Sequence, residues 1–330
     1  MKAPKKLVEL LNKKQAFIDE SRGRLEKDVV NLQSKLLNKL IAEIVPELDI
    51  KDGIIQDSEK NYRLLSSLDK AYNQFIKTAS SVIIPEMAKT TEEIAALNKL
   101  YFERANFKTM GQRFEEVIQA TSRKIDLRLG LKGGQSVSGG FIDSVVKDKA
   151  LATELKNFTS KSIAGQVDMK QYIQGLSDLV NGIPKEVIKD GKKVITQTGG
   201  LEKQYQRYAY DLYQQYDRAY SVSLADEFEM KYFIYQGGLI SDSRDFCAAH
   251  NNRVWSREEA EEWVKWMPYM GTYPENYEVK AKDLYEIPSY LSYAGYTPLV
   301  DAGGYRCRHS IGYISDELAF ELRPELKGSE

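Results

Sequence analysis

The sequence predicts a mainly α-helical protein: long N-terminal helices, bundled or coiled-coil-like, and then a small α+β C-terminal domain closed by a Cys/His cluster. Three observations predict it. Leu11, Ile18, Leu25 and Leu32 recur every seven residues near the start. Composition changes at Gly199–Gly200, beyond which lie 17 of the 21 tyrosines. The only two cysteines and only two histidines all fall within residues 247–309. Together they divide the chain into a long-helix domain over 1–130, a linker with short helices over 131–200, and a Tyr-rich C-terminal domain over 201–330.

The first helix is expected over 5–45. Gln15, Arg22, Val29 and Leu36 stand four positions after the heptad leucines and isoleucine, half of them apolar, as a packed or short coiled-coil helix requires. Gly23 weakens it and Pro46 ends it. Asp49 to Gly53 reads as a turn. A second helix is expected from Ser58 to Ile84, with Leu64, Leu65, Leu68, Tyr72, Phe75, Ile76 and Ala79 on one face. Pro85 should interrupt it, and Thr90-Thr91-Glu92-Glu93 should cap a third helix running through Phe107 and Phe114 to about Leu129.

Residues 130–142 are glycine-rich and read as a flexible turn or linker. No GK[ST] follows those glycines, so a phosphate-binding loop is not expected. Short helices are expected over 143–181, one of them capped by Asp168, before Gly182-Ile183-Pro184 breaks the pattern. Turns are expected at Asp190–Lys193 and at Thr196–Gly200. Helix is then expected over 201–236, with Leu201, Tyr205, Tyr208, Leu212, Tyr216, Ala219, Leu224 and Phe228 at helical spacing, until Gly237-Gly238 stops it.

Beyond those glycines come Cys247-Ala248-Ala249-His250 and Cys307-Arg308-His309. Two close-spaced Cys/His pairs far apart in sequence are a common way to build a tetrahedral zinc site, with Cys247, His250, Cys307 and His309 as ligands. Such an ion would be structural, since four protein ligands leave no position open for water. If residues 305–309 are extended, Tyr305, Cys307 and His309 share one face and Arg306 and Arg308 the other. Two other readings stand beside zinc. The cysteines can be free buried thiols, with the histidines hydrogen-bonded in the core. Alternatively they form a disulfide closing a loop of about 60 residues, worth roughly 4 kcal/mol by chain entropy.

Between the pairs, Ser256 and Glu259 match a capping box, with Ala260, Trp263 and Trp266 or Met267 on the apolar face and Pro268 ending the helix. Residues 269–302 read as loop-rich and in need of an anchor. Arg244 is expected to pair with a carboxylate.

The formal net charge is -1, but residues 1–200 hold 33 Lys+Arg against 26 Asp+Glu, and residues 201–330 hold 14 against 22. Only the first part is therefore suited to a polyanion. No apolar run approaches the ~18–20 residues that span a bilayer, and the start lacks a secretory pattern, so a reducing compartment and no membrane partner are expected.

The stretch Tyr235-Gln236-Gly237-Gly238-Leu239-Ile240-Ser241-Asp242-Ser243-Arg244-Asp245-Phe246-Cys247-Ala248-Ala249-His250-Asn251-Asn252-Arg253-Val254-Trp255 resembles the C-terminal signature of bacteriophage head morphogenesis proteins, the minor head proteins related to protein F of phage Mu. Gly303-Gly304-Tyr305-Arg306-Cys307-Arg308-His309-Ser310-Ile311 resembles that family's closing element, and Tyr213-Gln214-Gln215-Tyr216-Asp217-Arg218 is also similar. The likeness covers roughly residues 160–320. It implies a virion component or assembly factor, a non-enzyme assembled in the host cytoplasm, that contacts the portal and/or major capsid protein and can form a homo-oligomer. Weak contact of residues 1–200 with packaged DNA is a further expectation. Two other functions remain open: a metal-dependent nuclease or hydrolase using Asp242, Arg244 and His250, and a helical host adaptor protein.

Overall fold

The computed structural model describes residues 4–105, 112–183, 187–189, 192–194, 197–241, 243–263, 297–304 and 307–328. The chain is mainly helical, with long N-terminal helices and a small sheet-containing C-terminal region. Helix α1 (Lys5–Glu43) is one continuous element. Its heptad residues Leu11, Ile18, Leu25 and Leu32 are all buried, as are Gln15, Val29 and Leu36. A 3-10 turn at Val45–Glu47 follows, where Pro46 lacks the N–H that another helical turn would use. The expected turn at Asp49–Gly53 is the tip of a hairpin of β1 (Ile50–Lys51) and β2 (Ile54–Ile55). Asp52 and Gly53 there have φ of 53° and 80°, the left-handed pair that suits a two-residue hairpin loop.

Helix α2 (Glu59–Arg104) corrects the sequence reading. Pro85 lies inside it, and Thr90-Thr91 is mid-helix rather than a start. Proline costs a helix about 3 kcal/mol, yet Ile83, Met87 and Ala88 on either side are buried, so packing holds both turns in line. Thr91 turns its hydroxyl back to the carbonyl of Ala88 (2.8 Å) instead of capping. Helix α3 (Gln112–Leu129) ends where expected; Phe107 lies outside the described residues.

The glycine-rich stretch is more ordered than a linker. It holds a hairpin of β3 (Leu131–Lys132) and β4 (Gln135–Ser136), turned through Gly133 and Gly134 at φ 57° and 72°. Helices α4 (Phe141–Val146), α5 (Ala150–Ala164) and α6 (Met169–Asn181) follow. Asp168 caps α6, accepting from the backbone N–H of Lys170 (2.9 Å) and Gln171 (3.3 Å). Next come β5 (Gly182–Ile183), β6 (Val187–Lys189), β7 (Lys192–Val194) and β8 (Gln197–Thr198), with β5 paired to β8 and β6 to β7. Pro184, Asp190, Gly191 and Thr196 of the expected breaks lie outside the described residues.

Helix α7 (Gly200–Glu227) ends well before the expected stop at Gly237-Gly238. Glu229 takes φ 53° and the chain becomes strand β9 (Tyr232–Gln236). Tyr-Phe-Ile-Tyr is β-forming sequence, and all five residues of the strand are buried, as a central strand covered on both faces requires. Short helix α8 (Asp245–His250), β10 (Arg253–Ser256), α9 (Arg257–Glu261), α10 (Pro298–Asp301), β11 (Ser310–Ile314), α11 (Asp316–Leu322) and a 3-10 turn at Pro324–Gly328 complete the chain. The sheet order is β10-β9-β11, antiparallel throughout, with Tyr235 opposite Arg253 on one side and Ile311 on the other. The capping box on α9 is present, and Ala260 and Trp263 are buried. Trp266, Met267, Pro268 and most of 269–302 lie outside the described residues.

Two compact units result, each assembled from separated stretches: residues 1–22, 88–132 and 209–330 form one, and 23–87 with 133–208 the other. The contiguous division at 130 and 200 is therefore replaced by an interleaved one, because α1, α2 and α7 each contribute residues to both units. In the unit containing the C-terminal sheet, Phe233 and Tyr235 face Trp263 (ring centroids 5.6 and 5.3 Å apart). On the opposite face, a side chain at Gly312 would meet Leu11 and Tyr101. The other unit centres on Leu25, Leu32, Tyr72, Leu155 and Tyr172, with Phe158 stacked on Tyr172 (5.6 Å). Among the described residues no helix is long and apolar enough to cross a membrane.

Candidate metal centre

Three elements deliver the site. Strand β9 sits in the middle of the sheet. The turn after β9 leads into α8, which carries Cys247 and His250. The loop after α10 returns through Gly303-Gly304 to Cys307 and His309, just before β11. Residues 307–309 precede β11 rather than belonging to it, but the expected alternation holds: Cys307 and His309 are buried and Arg308 is half-buried. Tyr305 and Arg306 lie outside the described residues.

Cys247, Cys307 and His309 meet. Their ligand atoms lie within 4.8 Å of one another, all three side chains are buried, and together they can hold a metal ion. Both cysteines are free thiols. His309 Nδ1 is 3.8 Å from Cys307 Sγ. His250, the fourth expected ligand, is buried beside them but stands outside that group. Its Nδ1 faces its own helix, 2.7 Å from the carbonyl of Phe246, and the ring stacks on Phe246 (4.0 Å) and Trp255 (4.5 Å).

One glycine of each pair is explained by space. A Cβ at Gly303 would lie 2.7 Å from Cys247 Sγ and 3.0 Å from Cys307 Sγ, so the sulfurs occupy the volume a side chain would need. Gly304 serves the backbone instead, at φ 80°. A Cβ at Gly237 would lie 2.7 to 2.9 Å from His309.

Arginines hold the loop. Buried Arg218 of α7 donates to the carbonyls of Gln214 (3.1 Å), Asp301 (3.0 Å) and Cys307 (3.4 Å). Arg244, expected to meet a carboxylate, donates to the carbonyl of Gly303 at 2.7 Å. Asp242 lies outside the described residues. Tyr235 projects from β9 with its hydroxyl 3.2 Å from Cys307 Sγ and 3.7 Å from Cys247 Sγ.

The sulfurs share a proton unequally. Cys247 is pushed well above the usual thiol range by donating its S–H to Cys307 and by burial. Burial works against the thiolate at Cys307 too, but the bond accepted from Cys247, His309 and the Arg218 charge outweigh it and hold Cys307 low. Two sulfurs and an imidazole gathered this closely are a donor set suited to a divalent cation, which binds sulfur as the thiolate. Burial pulls His250 down to about 4, so its imidazole is neutral at pH 7.

Sequence reasoning found the cysteines and histidines by their scarcity and pairing. Arg218 and Tyr235 lie within the resembling stretches and carry no role in the sequence alone. The available signal was a charge pair, Asp217-Arg218, inside an aromatic helix, where a buried charge must have partners. No family model, curated protein or solved structure matches this chain.

Proposed function

We propose that this chain is a non-enzymatic structural component of a bacteriophage head, a minor head protein whose C-terminal region is stapled by one zinc ion. Cys247, Cys307 and His309 are the primary ligands and His250 the fourth. The observation that carries the reading is the closure of the Cys/His group. The three side chains are only 5%, 2% and 2% exposed. A catalytic metal must meet substrate and keep a position open to it, whereas a structural one is walled in. For His250, the contact from Nδ1 to the Phe246 carbonyl is the kind of outer bond that orients a metal-binding imidazole. Cys247 and His250 also ride one turn apart on α8.

The soft donor set, two sulfurs and one or two imidazoles, favours zinc over the oxygen-seeking cations. The head assignment draws on the motif likeness of residues 235–255 and 303–311. Portal or capsid protein would be the partner, and packaged DNA a weaker contact of the basic residues 1–200.

Metal content of the purified chain tests the first half. One zinc per chain is expected, lost in Cys247→Ser and Cys307→Ser and weakened in His250→Gln; a natural chain without metal would overturn it. Fractionation of infected cells tests the second half. The chain should sediment with assembled heads, and its absence from them would sink the assignment.

A further inference from the structure

Tyr235 makes contact with each of the three clustered residues. It stands on the central strand of the sheet, paired on both sides, and is fully buried. Its hydroxyl lies within hydrogen-bond reach of both sulfurs, closer to Cys307. Its ring stacks flat on His309, with centroids 4.6 Å apart and planes 5° from parallel. Trp263 and Phe246 meet the same ring edge-on at 5.3 and 5.9 Å, so the phenol has little freedom to turn away.

A sulfur that has bound a metal carries no proton and can only accept, so the hydroxyl must then be the donor. We infer that Tyr235 is the positioning residue of this site, donating its hydroxyl proton to the sulfur of Cys307, and at longer range to that of Cys247, while its ring fixes His309. The inference rests on the metal reading above and deepens it.

The chemistry follows from charge. Two thiolates on a divalent cation bring like charges together in a buried space. A hydrogen bond to sulfur withdraws electron density, quiets the thiolate and tunes the metal. Arg218 and Arg244 donate their hydrogen bonds to the carbonyls of Cys307 and Gly303, whereas Tyr235 reaches the sulfurs themselves. Removing such an outer partner from a metal site typically costs about 10–100-fold in affinity.

The test is Tyr235→Phe in the full chain, which keeps the ring and deletes the donor. The variant should still take up one metal per chain but lose it to a chelator about 10–100-fold faster. Loaded with cobalt(II), its sulfur-to-metal charge-transfer band should move to lower energy, because an unbonded thiolate gives up electrons more readily. A role in packing alone would leave the band in place, so an unchanged band and unchanged release rate would overturn the inference. Should the variant not fold, the natural chain loaded with an NMR-active cadmium isotope supplies a second measurement. Scalar coupling from the metal through sulfur to the Tyr235 hydroxyl proton is expected, and its absence counts against the inference. A natural chain that binds no metal removes the site reading itself, a different result from one that binds metal without heeding Tyr235.

Discussion

Gly303 has no side chain where two sulfurs and a phenol oxygen converge. A Cβ there would also lie 3.3 Å from the Tyr235 hydroxyl. Gly303→Ala is therefore expected to push Cys247 and Cys307 apart, destabilising the metal-free fold by about 1–3 kcal/mol and lowering affinity for the proposed metal further. Denaturant unfolding and competition with a chelator check the two effects separately. Gly304→Ala should act through the backbone instead, since its φ of 80° is unfavourable for any residue with a Cβ. Residue-scale reading of the sequence placed these glycines only within the motif resemblance. Which of them yields space and which yields conformation depends on what lies across the loop.

Elements were legible where local chemistry agrees with packing. The heptad of α1, the Asp168 cap of α6 and the Ser256/Glu259 box of α9 all occur as their residues predict. Pro85 and the end of α7 were not legible, because buried neighbours override one proline and β-forming residues end a helix expected to continue to Gly237-Gly238. The box on α9 also carries a long-range bond. Arg323, after α11, reaches Glu259 with two nitrogens at 2.8 and 2.6 Å and donates to the Val254 carbonyl at 3.0 Å. Burial alone would raise the Glu259 pKa, but bonds from Arg323 and the Ser256 backbone outweigh it and hold the carboxyl below its ordinary 4.5. Its contribution is accordingly full above about pH 4.5 and is lost as pH falls through the lower folded value. Glu259→Ala should cost about 1–2 kcal/mol at neutral pH. Unfolding curves of variant and parent should converge as the pH drops well below that value.

At the scale of the whole molecule, the first 22 residues belong to the same compact unit as the C-terminal sheet. A buried ion pair joins them. Lys14 Nζ lies 2.7 Å from Asp217 of α7 and 2.9 Å from Asn98 of α2, and Ser221 and Ser310 add bonds at 2.9 and 3.1 Å. Both charged side chains are essentially without solvent contact. Removing one partner leaves the other buried and uncompensated, so Lys14→Met should destabilise this unit by about 3–5 kcal/mol, with Lys14→Met/Asp217→Asn recovering part of the loss. All three tryptophans lie in residues 255–266, so fluorescence during urea unfolding reports on the C-terminal region directly. A change near the N-terminus that shifts that signal would separate the interleaved arrangement from a chain of independent domains.

The sequence by itself determined the helical class, the long reach of α1, the caps of α6 and α9, and the scarce Cys and His side chains of the C-terminal region. Each is set by residues close together in the chain or by the rarity of a residue type. Tertiary structure alone decided that Cys247, Cys307 and His309 meet, that His250 is turned toward its own helix, and that Tyr235 and Arg218 attend the site. Those outcomes depend on which strand pairs with which and on where α7 and the returning loop pack. Such long-range pairings leave no periodic trace, because the residues they join are separated by tens to hundreds of positions.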